Sequence, residues 1–465
     1  MVGIESMGIY VPRYRLDRRE IFESVGWISR NFLPGERAAA NYDEDSITMA
    51  VNAAMKCECN DVDAVFFASV TMPYKERQNA EIIATALDLG SDISTADFTG
   101  STKAVTTALI NAANYVAAGK AKRILVCAAD CRIGRPGSYL EIVSGDAAAA
   151  VVVGKEKLVS IDGYHCVSYD FADIWRIDKD DLARSWEDRW IRDEGYKKFI
   201  TEAISKLLEK ENVSPSEIAK VAYPCLYPRD FPKIALSLGF SQEQIQDPLF
   251  TILGNTGNAH PLIMLAAILE KAERDDKIII ASYGSGSDAV MFTAKENFPF
   301  SESIRVRKKM PYKKYIAFRE LLPVEKGMRG EEVAPTPVSV LWRNRREILA
   351  LVGSRCRNCG TPQYPSQRVC VACQSQDLEP YRFADKKGKI FSFTEDYLAF
   401  SINPPAIYGI IEFEGGGRFW FDITDCEPGE LKVGMPVRMS FRRRDFDPQR
   451  RVYNYFWKAV PEVRG

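Results

Sequence analysis

Two CxxC pairs carry the most specific chemistry in this chain: Cys356-Arg357-Asn358-Cys359 and Cys370-Val371-Ala372-Cys373, ten residues apart. Each pair brings two thiolates to the spacing of one tetrahedral Zn²⁺, and four thiolates leave no open position for water. The role read from this set is structural, with a rubredoxin-like iron as the rival ion. Gly360 and Pro365 suit the tight turns between the pairs. The other seven of the 11 cysteines are scattered, which fits a reducing cytoplasm better than a disulfide framework. His165 and His260 are the only two histidines, so an imidazole base has two candidates.

The elements that must position these groups fall into two parts. In the first 300 residues, short apolar runs alternate with helical patterns. AVFFAS (64–69), RILVCAAD (123–130), AAAAVVVG (147–154) and KIIIASYG (277–284) read as strands covered on both faces. TKAVTTALINAANYVAAG (102–119), TEAISKLLEKE (201–211) and PLIMLAAILEKA (261–272) read as helices. This alternation predicts a layered α/β domain. A charged, proline-bearing connector follows, with a linker over 326–350. Residues 351–380 hold the metal ribbon. Five period-two strands lie within 381–465, with turns at Gly415-Gly416-Gly417 and Pro428-Gly429, and predict a small barrel of OB type. A formal net charge of −1 gives the whole molecule no bulk attraction to nucleic acid or anionic membrane. No apolar run is long enough to span a membrane, and the N-terminal residues lack a signal-peptide pattern. The expected location is the cytoplasm.

Several segments together resemble one family. IYVPRYRL (9–16), DEDSITMAV (43–51), ADFTGSTKAVTTAL (96–109), DIWR (173–176), LGNTGNAHP (253–261) and SYGSGSDAV (282–290) are similar to segments of bacterial and archaeal hydroxymethylglutaryl-CoA synthases, in that order and at similar spacing. The resemblance covers roughly 1–325. It implies a thiolase-like fold of two similar halves, 1–160 and 161–325, a homodimer, and a coenzyme A thioester as ligand. The tail from about 335 resembles zinc-ribbon plus OB-fold proteins that accompany thiolase–synthase assemblies. That resemblance implies a bridging role beside a CoA channel and a thiolase-like partner subunit.

The departures from the family limit the chemistry. The acylated cysteine of the synthases falls at Ser101-Thr102. A thiolate at a helix N-terminus is a strong nucleophile, whereas a threonine hydroxyl without an adjacent base is weak. The family's glutamate falls near Ser69-Val70-Thr71, and Val70 moves no proton. Its histidine falls in PCLYPRDFP (224–232), where Cys225 aligns best. Asn255 of the GNT segment is retained.

Each candidate has a functional and a structural reading. Thr102 or Ser101 is a substitute nucleophile or a donor to a thioester carbonyl, or else a helix-capping hydroxyl. Cys225 is a displaced nucleophile or proton carrier, or else a small buried hydrophobe. His260, directly before Pro261, faces the pocket as the proton carrier, or is a helix-start histidine held by backbone contacts. Asn255 is an oxyanion donor or a turn former. Tyr74, Tyr223 and Tyr227 are phenols near the expected pocket. Gly284, Ser285 and Gly286 read as a tight turn at the pocket floor, and His165 as a structural strand residue. The cluster Arg442, Arg443, Arg444, Arg450 and Arg451, interleaved with Phe441, Phe446, Tyr453 and Phe456, is compatible with stacking single strands, gripping CoA phosphates, or meeting an acidic partner.

Three functions are thus open. The chain is an auxiliary acyl-CoA-handling component of a carbon–carbon bond-forming or -cleaving (thiolase/acyltransferase) complex. Or it is an enzyme in its own right, performing aldol, retro-aldol or Claisen-type chemistry on a β-hydroxy- or β-ketoacyl-CoA. Or it is a nucleic-acid- or protein-binding adaptor that uses only the barrel.

Overall fold

Strands apolar on both faces need cover on both faces, and the computed structural model shows how it is supplied. It describes residues 2–28, 32–178, 180–323 and 334–462. Nine strands form one sheet in the order Ser94–Phe98, Ala64–Ala68, Ile124–Asp130, Ala147–Lys155, Val2–Tyr10, Val159–Ser168, Gly286–Ala294, Lys277–Ala281 and Ile218–Ala222. From the central pair Val2–Tyr10 and Val159–Ser168 outward, both sides run antiparallel, antiparallel, parallel. The two similar halves, expected only from the family resemblance, are visible in this shared succession. Ser94–Phe98 extends the first half by one further parallel strand.

Side chains of each strand divide between two cores. Ala64, Phe66 and Ala68 face the central helices Ala104–Ala117 and His260–Leu269. Val65 and Phe67 face the outer helices Ser46–Ala54 and Asn79–Ala86. The helix Lys197–Glu211 covers the second half through Phe199, Ile200, Ile204 and Leu207.

The C-terminal part is a three-stranded ribbon, Pro362–Gln363, Val352–Cys356 and Leu378–Arg382, followed by five antiparallel strands. Their order is Arg418–Asp422, Ala406–Phe413, Gly388–Asp396, Pro436–Asp447 and Val452–Pro461. The barrel is not closed by a ladder. Its ends meet only at the Ile423–Ala459 bridge.

Of the linker expected over 326–350, residues 326–333 lie outside the described residues. The remainder is partly helical and docked. In Arg345–Ala350, Leu349 and Ala350 are buried, and the Trp457 indole donates to the Leu349 carbonyl at 2.7 Å. Charged neighbours at Arg345 and Arg346 hide this apolar contact in the sequence.

The OB-like domain packs onto the outer helix Ser46–Ala54, so Phe441, Tyr455 and Trp457 share one core with Ile47, Ala50 and Val65. Arg442 fastens the joint. Fully buried, it reaches Asp43 at 3.2 Å, Glu44 at 2.7 Å and Asp425 at 2.5 Å, and donates to the Tyr10 hydroxyl at 3.0 Å. Lys458 holds Asp43 from the other side at 3.1 Å. The Tyr455 hydroxyl donates to Asp45 at 2.8 Å, and the Asn52 amide bridges to Ser440 and the Phe441 carbonyl. The arginine cluster is therefore not one basic stripe. Arg442 is an interdomain ion-pair centre, Arg444 pairs with Asp445, and Arg450 with Asp447.

Candidate active site and zinc site

A cavity of about 770 Å³ opens where the two parts meet. Its floor is the segment Thr99–Thr102, just before the central helix, together with the turn Ser282–Ser285. These two are locked together. The Ser101 hydroxyl donates to the Gly284 carbonyl at 2.7 Å, and the Thr102 hydroxyl to the Tyr283 carbonyl at 2.7 Å. A Cβ at Gly284 would sit 2.6 Å from Ser101 Oγ and 2.7 Å from Thr102 Oγ1, so glycine is required by space. Both hydroxyls are thus engaged as donors to backbone carbonyls. Ser101 Oγ also accepts from the Lys103 amide at 3.2 Å, a bond within the turn before the helix, whose N-cap is Lys103 and carries no side-chain cap.

Asn255 lines the same cavity. Its side-chain oxygen accepts from the Gly257 amide at 3.1 Å, the geometry of the turn. Val70 and Thr71 form the facing wall. Behind them the buried Asp130 ties the walls together. It accepts from Ser69 Oγ (2.9 Å), the Val70 amide (2.8 Å) and Thr71 Oγ1 (3.2 Å), and on its other oxygen from the amide and side chain of Asn258 (2.7 and 3.0 Å). Burial outweighs these donors and holds its carboxyl above the ordinary range.

His260 and Cys225 are not lining residues, which corrects the expectation that they serve the pocket. The imidazole starts a helix and is 1% exposed. Nδ1 lies 3.3 Å from Thr256 Oγ1, and among the described residues Nε2 has no partner. With no carboxylate to support a cation there, burial lowers its pKa to about 4. Pro261, the next residue, reaches the cavity instead. Cys225 is flanked by the lining residues Pro224 and Leu226 but is itself buried, and burial pushes its thiol up to about 12. It behaves as the small hydrophobe of its structural reading.

The phenols separate similarly. The Tyr223 hydroxyl donates to the Phe231 carbonyl inside the core, and Tyr227 stacks on Tyr139. Neither lines the cavity. Tyr74 does, with its hydroxyl exchanging hydrogen bonds with the backbone of Tyr453 (2.9 and 3.3 Å). His165 lies in the strand Val159–Ser168, away from the cavity.

The sequence reading missed several groups on the wall. Cys131 is a cavity thiol, but burial and the nearby Asp146 push it well above the usual thiol range. Arg132 and Asp173 line it beside Tyr283. The joint adds Glu44 and Asp45, and from the OB-like domain come Arg443, Arg451 and Tyr453, which the sequence named only as members of the arginine–aromatic cluster. Arg443 donates to the Tyr42 carbonyl at 2.6 Å and lies over the Tyr453 ring. These positions are separated by more than 300 residues of sequence, and no local motif links them.

At the ribbon the four sulfurs of Cys356, Cys359, Cys370 and Cys373 lie within 4.8 Å of one another. Four thiolates around one ion at a Zn–S distance of about 2.3 Å sit roughly this close. The Ala372 amide points at Cys370 Sγ (3.4 Å), and backbone bonds such as Gly360 N to Cys356 O turn each knuckle. The set fits a closed structural zinc site.

The fold and these two sites define a thiolase-superfamily chain with an appended zinc ribbon and OB-type domain. Residues 344–379 match the family described as "ChsH2, rubredoxin-like zinc ribbon domain", and 381–442 its C-terminal OB-fold domain. Residues 96–169 match 3-oxoacyl-[acyl-carrier-protein] synthase III. Hydroxymethylglutaryl-CoA synthase of Methanopyrus kandleri is 33% identical over 312 residues, 63% of this chain and 88% of the relative. That of Pyrococcus horikoshii is 30% identical over 303 residues, covering 63% and 85%. The chain belongs to the hydroxymethylglutaryl-CoA synthase family. In fold it is similar to a solved hydroxymethylglutaryl-CoA synthase complexed with CoA (TM-score 0.62, 19% identity, 70% of this chain and 92% of that one). It is also similar to 3-oxoacyl-(acyl carrier protein) synthase III of Pseudomonas aeruginosa (TM-score 0.58, 16% identity, 64% and 98%). Among the described residues no helix is long and apolar enough to cross a membrane.

Proposed function

We propose that this chain binds a coenzyme A thioester in the cavity without forming an acyl-enzyme, as the acyl-CoA-handling component of a carbon–carbon bond-forming or -cleaving complex. The acyl-transfer nucleophile is supplied by a thiolase-like partner, docked through the zinc ribbon and OB-type domain. One observation carries the reading. The hydroxyls at the family's nucleophile position are both donated to backbone carbonyls, and among the described residues no imidazole, carboxylate or low-pKa thiol is hydrogen-bonded to either. A hydroxyl in that state lacks the base that activates it. The CoA ligand is supported by family membership and by the open cavity. The synthase-like part is expected to form a homodimer, and the eleven unpaired cysteines support a cytoplasmic location.

The test is native mass spectrometry of the chain with acetyl-CoA and acetoacetyl-CoA, followed by peptide mapping. Noncovalent complexes with no acyl mass on Ser101, Thr102, Cys131 or Cys225 are expected. A stable acyl adduct on any of them overturns the reading and restores a condensing enzyme with a substituted nucleophile.

A second reading is an aldol or retro-aldol enzyme acting alone, with Asn255 on the cavity as the donor to an enolate oxygen. Turnover of a β-hydroxyacyl-CoA by the isolated chain would establish it.

A further inference from the structure

The OB-type sheet holds aromatic rings in solvent on its outer face. Alternation along Ala406–Phe413 and Arg418–Asp422 turns Gly409, Ile411, Phe413 and Phe421 inward. Tyr408, Ile410, Arg418 and Trp420 take the other side, with Ile410 opposite Trp420 and Tyr408 opposite Asp422. Tyr408 stacks on Trp420 at 4.6 Å. Arg418 lies 3.8 Å over the ring of Phe391, which comes from Gly388–Asp396, two strands across. Trp420 is 61% exposed and Phe391 42%. The loop that follows Asp396 adds the exposed Tyr397 and Leu398. Contiguous exposed apolar surface of this kind marks a contact site.

The charges around the rings say what it contacts. At one end of the face Glu412 sits between Lys389 at 2.8 Å and Arg418 at 2.6 Å, so two cations meet one carboxylate. Lys387 and Glu414, in the adjoining turns, are opposite in sign and leave that balance positive; the Glu414 amide donates to the Lys387 carbonyl at 2.9 Å. The other end carries Asp396, which accepts from the Tyr408 hydroxyl at 2.9 Å, and the exposed Asp422. Lys458 lies 3.9 Å from Asp422, but it is buried and held closer, at 3.1 Å, by Asp43. The face is thus positive at one end, apolar in the middle and negative at the other. Arg418 and Asp422 stand two residues either side of Trp420. Such a surface complements itself. A second copy turned by half a turn about Trp420 sets each cationic end on an acidic end, with the rings packed between. A phosphate backbone fits poorly, because the cations are confined to one end and already share Glu412, while Asp396 and Asp422 repel it at the other.

We propose that this face is an isologous contact between two copies of the chain, with Trp420 on the twofold axis and Arg418 of each copy facing Asp422 of its mate. The contact lies on the OB-type domain and is separate from the homodimer expected of the synthase-like part. Two such twofold contacts on one chain join four copies when they close. This goes beyond the CoA reading above and does not depend on it.

The test is the mass of the full chain by light scattering after size exclusion. The wild type should contain an even number of copies, and Trp420→Ser, at an exposed position, should halve its mass with an unfolding midpoint close to wild type. Arg418→Glu and Asp422→Lys each place like charges opposite one another and should also halve it. An equimolar mixture of those two variants should recover the wild-type mass, because each then supplies the charge that the other lacks. That recovery reads the register directly and does not depend on the Trp420 variant folding. A single-copy wild type, or a folded Trp420→Ser of unchanged mass, overturns the proposal. Charge variants that keep the wild-type mass, or that stay apart when mixed, overturn it as well. Oligonucleotide binding that Trp420→Ser abolishes without changing the mass would instead assign the face to nucleic acid.

Discussion

Replacing Arg442 by methionine should separate the two parts of the molecule. The change keeps the length of the stem and deletes the guanidinium. In the wild type, three carboxyls, Asp43, Glu44 and Asp425, face two cations, Arg442 and Lys458, all buried. Burial first, and then the neighbouring Asp425 and Asp43, raise Glu44 to about 7, where it can hold a proton. Without Arg442, only Lys458 remains, and it touches Asp43 alone at contact distance within this triad. Removing one partner from a buried ion-pair set costs roughly 3–5 kcal/mol. That is a large share of the ~5–15 kcal/mol that holds a typical domain folded. Urea unfolding followed by tryptophan fluorescence reads this as an early transition of the C-terminal part. The sign with pH is fixed. Loss of the cation raises the folded-state pKa values of the three carboxyls, and a raised carboxyl contributes stability at low pH that is lost as pH rises through that value. The defect should therefore be larger at pH 8 than at pH 6, and Arg442→Met with Asp425→Asn should recover part of it. A loss under about 1 kcal/mol, or one independent of pH, would refute this account of the joint.

Three further outcomes follow from the geometry. Gly284→Ala places a methyl 2.6 Å from Ser101 Oγ and should cost about 1–3 kcal/mol in urea unfolding while weakening CoA titration, since the same contacts form the cavity floor. Cys370→Ser or chelation should remove one zinc per chain by metal analysis and expose 351–380 to protease, leaving the synthase-like part folded. Two ions per chain, or iron alone, would contradict the site as described. His260, held neutral with its pKa lowered to about 4 from 6.5, should make stability fall by about 3 kcal/mol as pH drops from 6.5 to 4, because the unfolded state then binds the proton first. His260→Gln should flatten that slope in urea titrations, and an equal slope would show that the imidazole is not the group responsible.

What was legible in the sequence had a local physical signature. Strands such as Ala64–Ala68 and Ile124–Asp130 are apolar on both faces because both faces are covered, and that shows as an unbroken run. The zinc set is legible because two CxxC pairs encode ligand geometry directly. The candidate site was legible only as positions. Alignment with the family located Thr102 and Asn255 on the cavity, but residue type at an aligned position says nothing about which way a side chain turns. His260 and Cys225 face the core beside the lining residues Pro261, Pro224 and Leu226. The Arg442 reading failed for a different reason. Period-two alternation in Pro436–Asp447 puts Val437, Met439 and Phe441 inward and predicts Ser440 and Arg442 outward, toward solvent. The outward face is instead covered by the helix Ser46–Ala54, so both faces are buried there. A strand that alternates polar and apolar residues normally signals one wet face. Here the polar face meets a second protein surface whose Asp43, Glu44 and Asn52 lie about 400 residues earlier, and only that encounter converts a basic run into a buried lock.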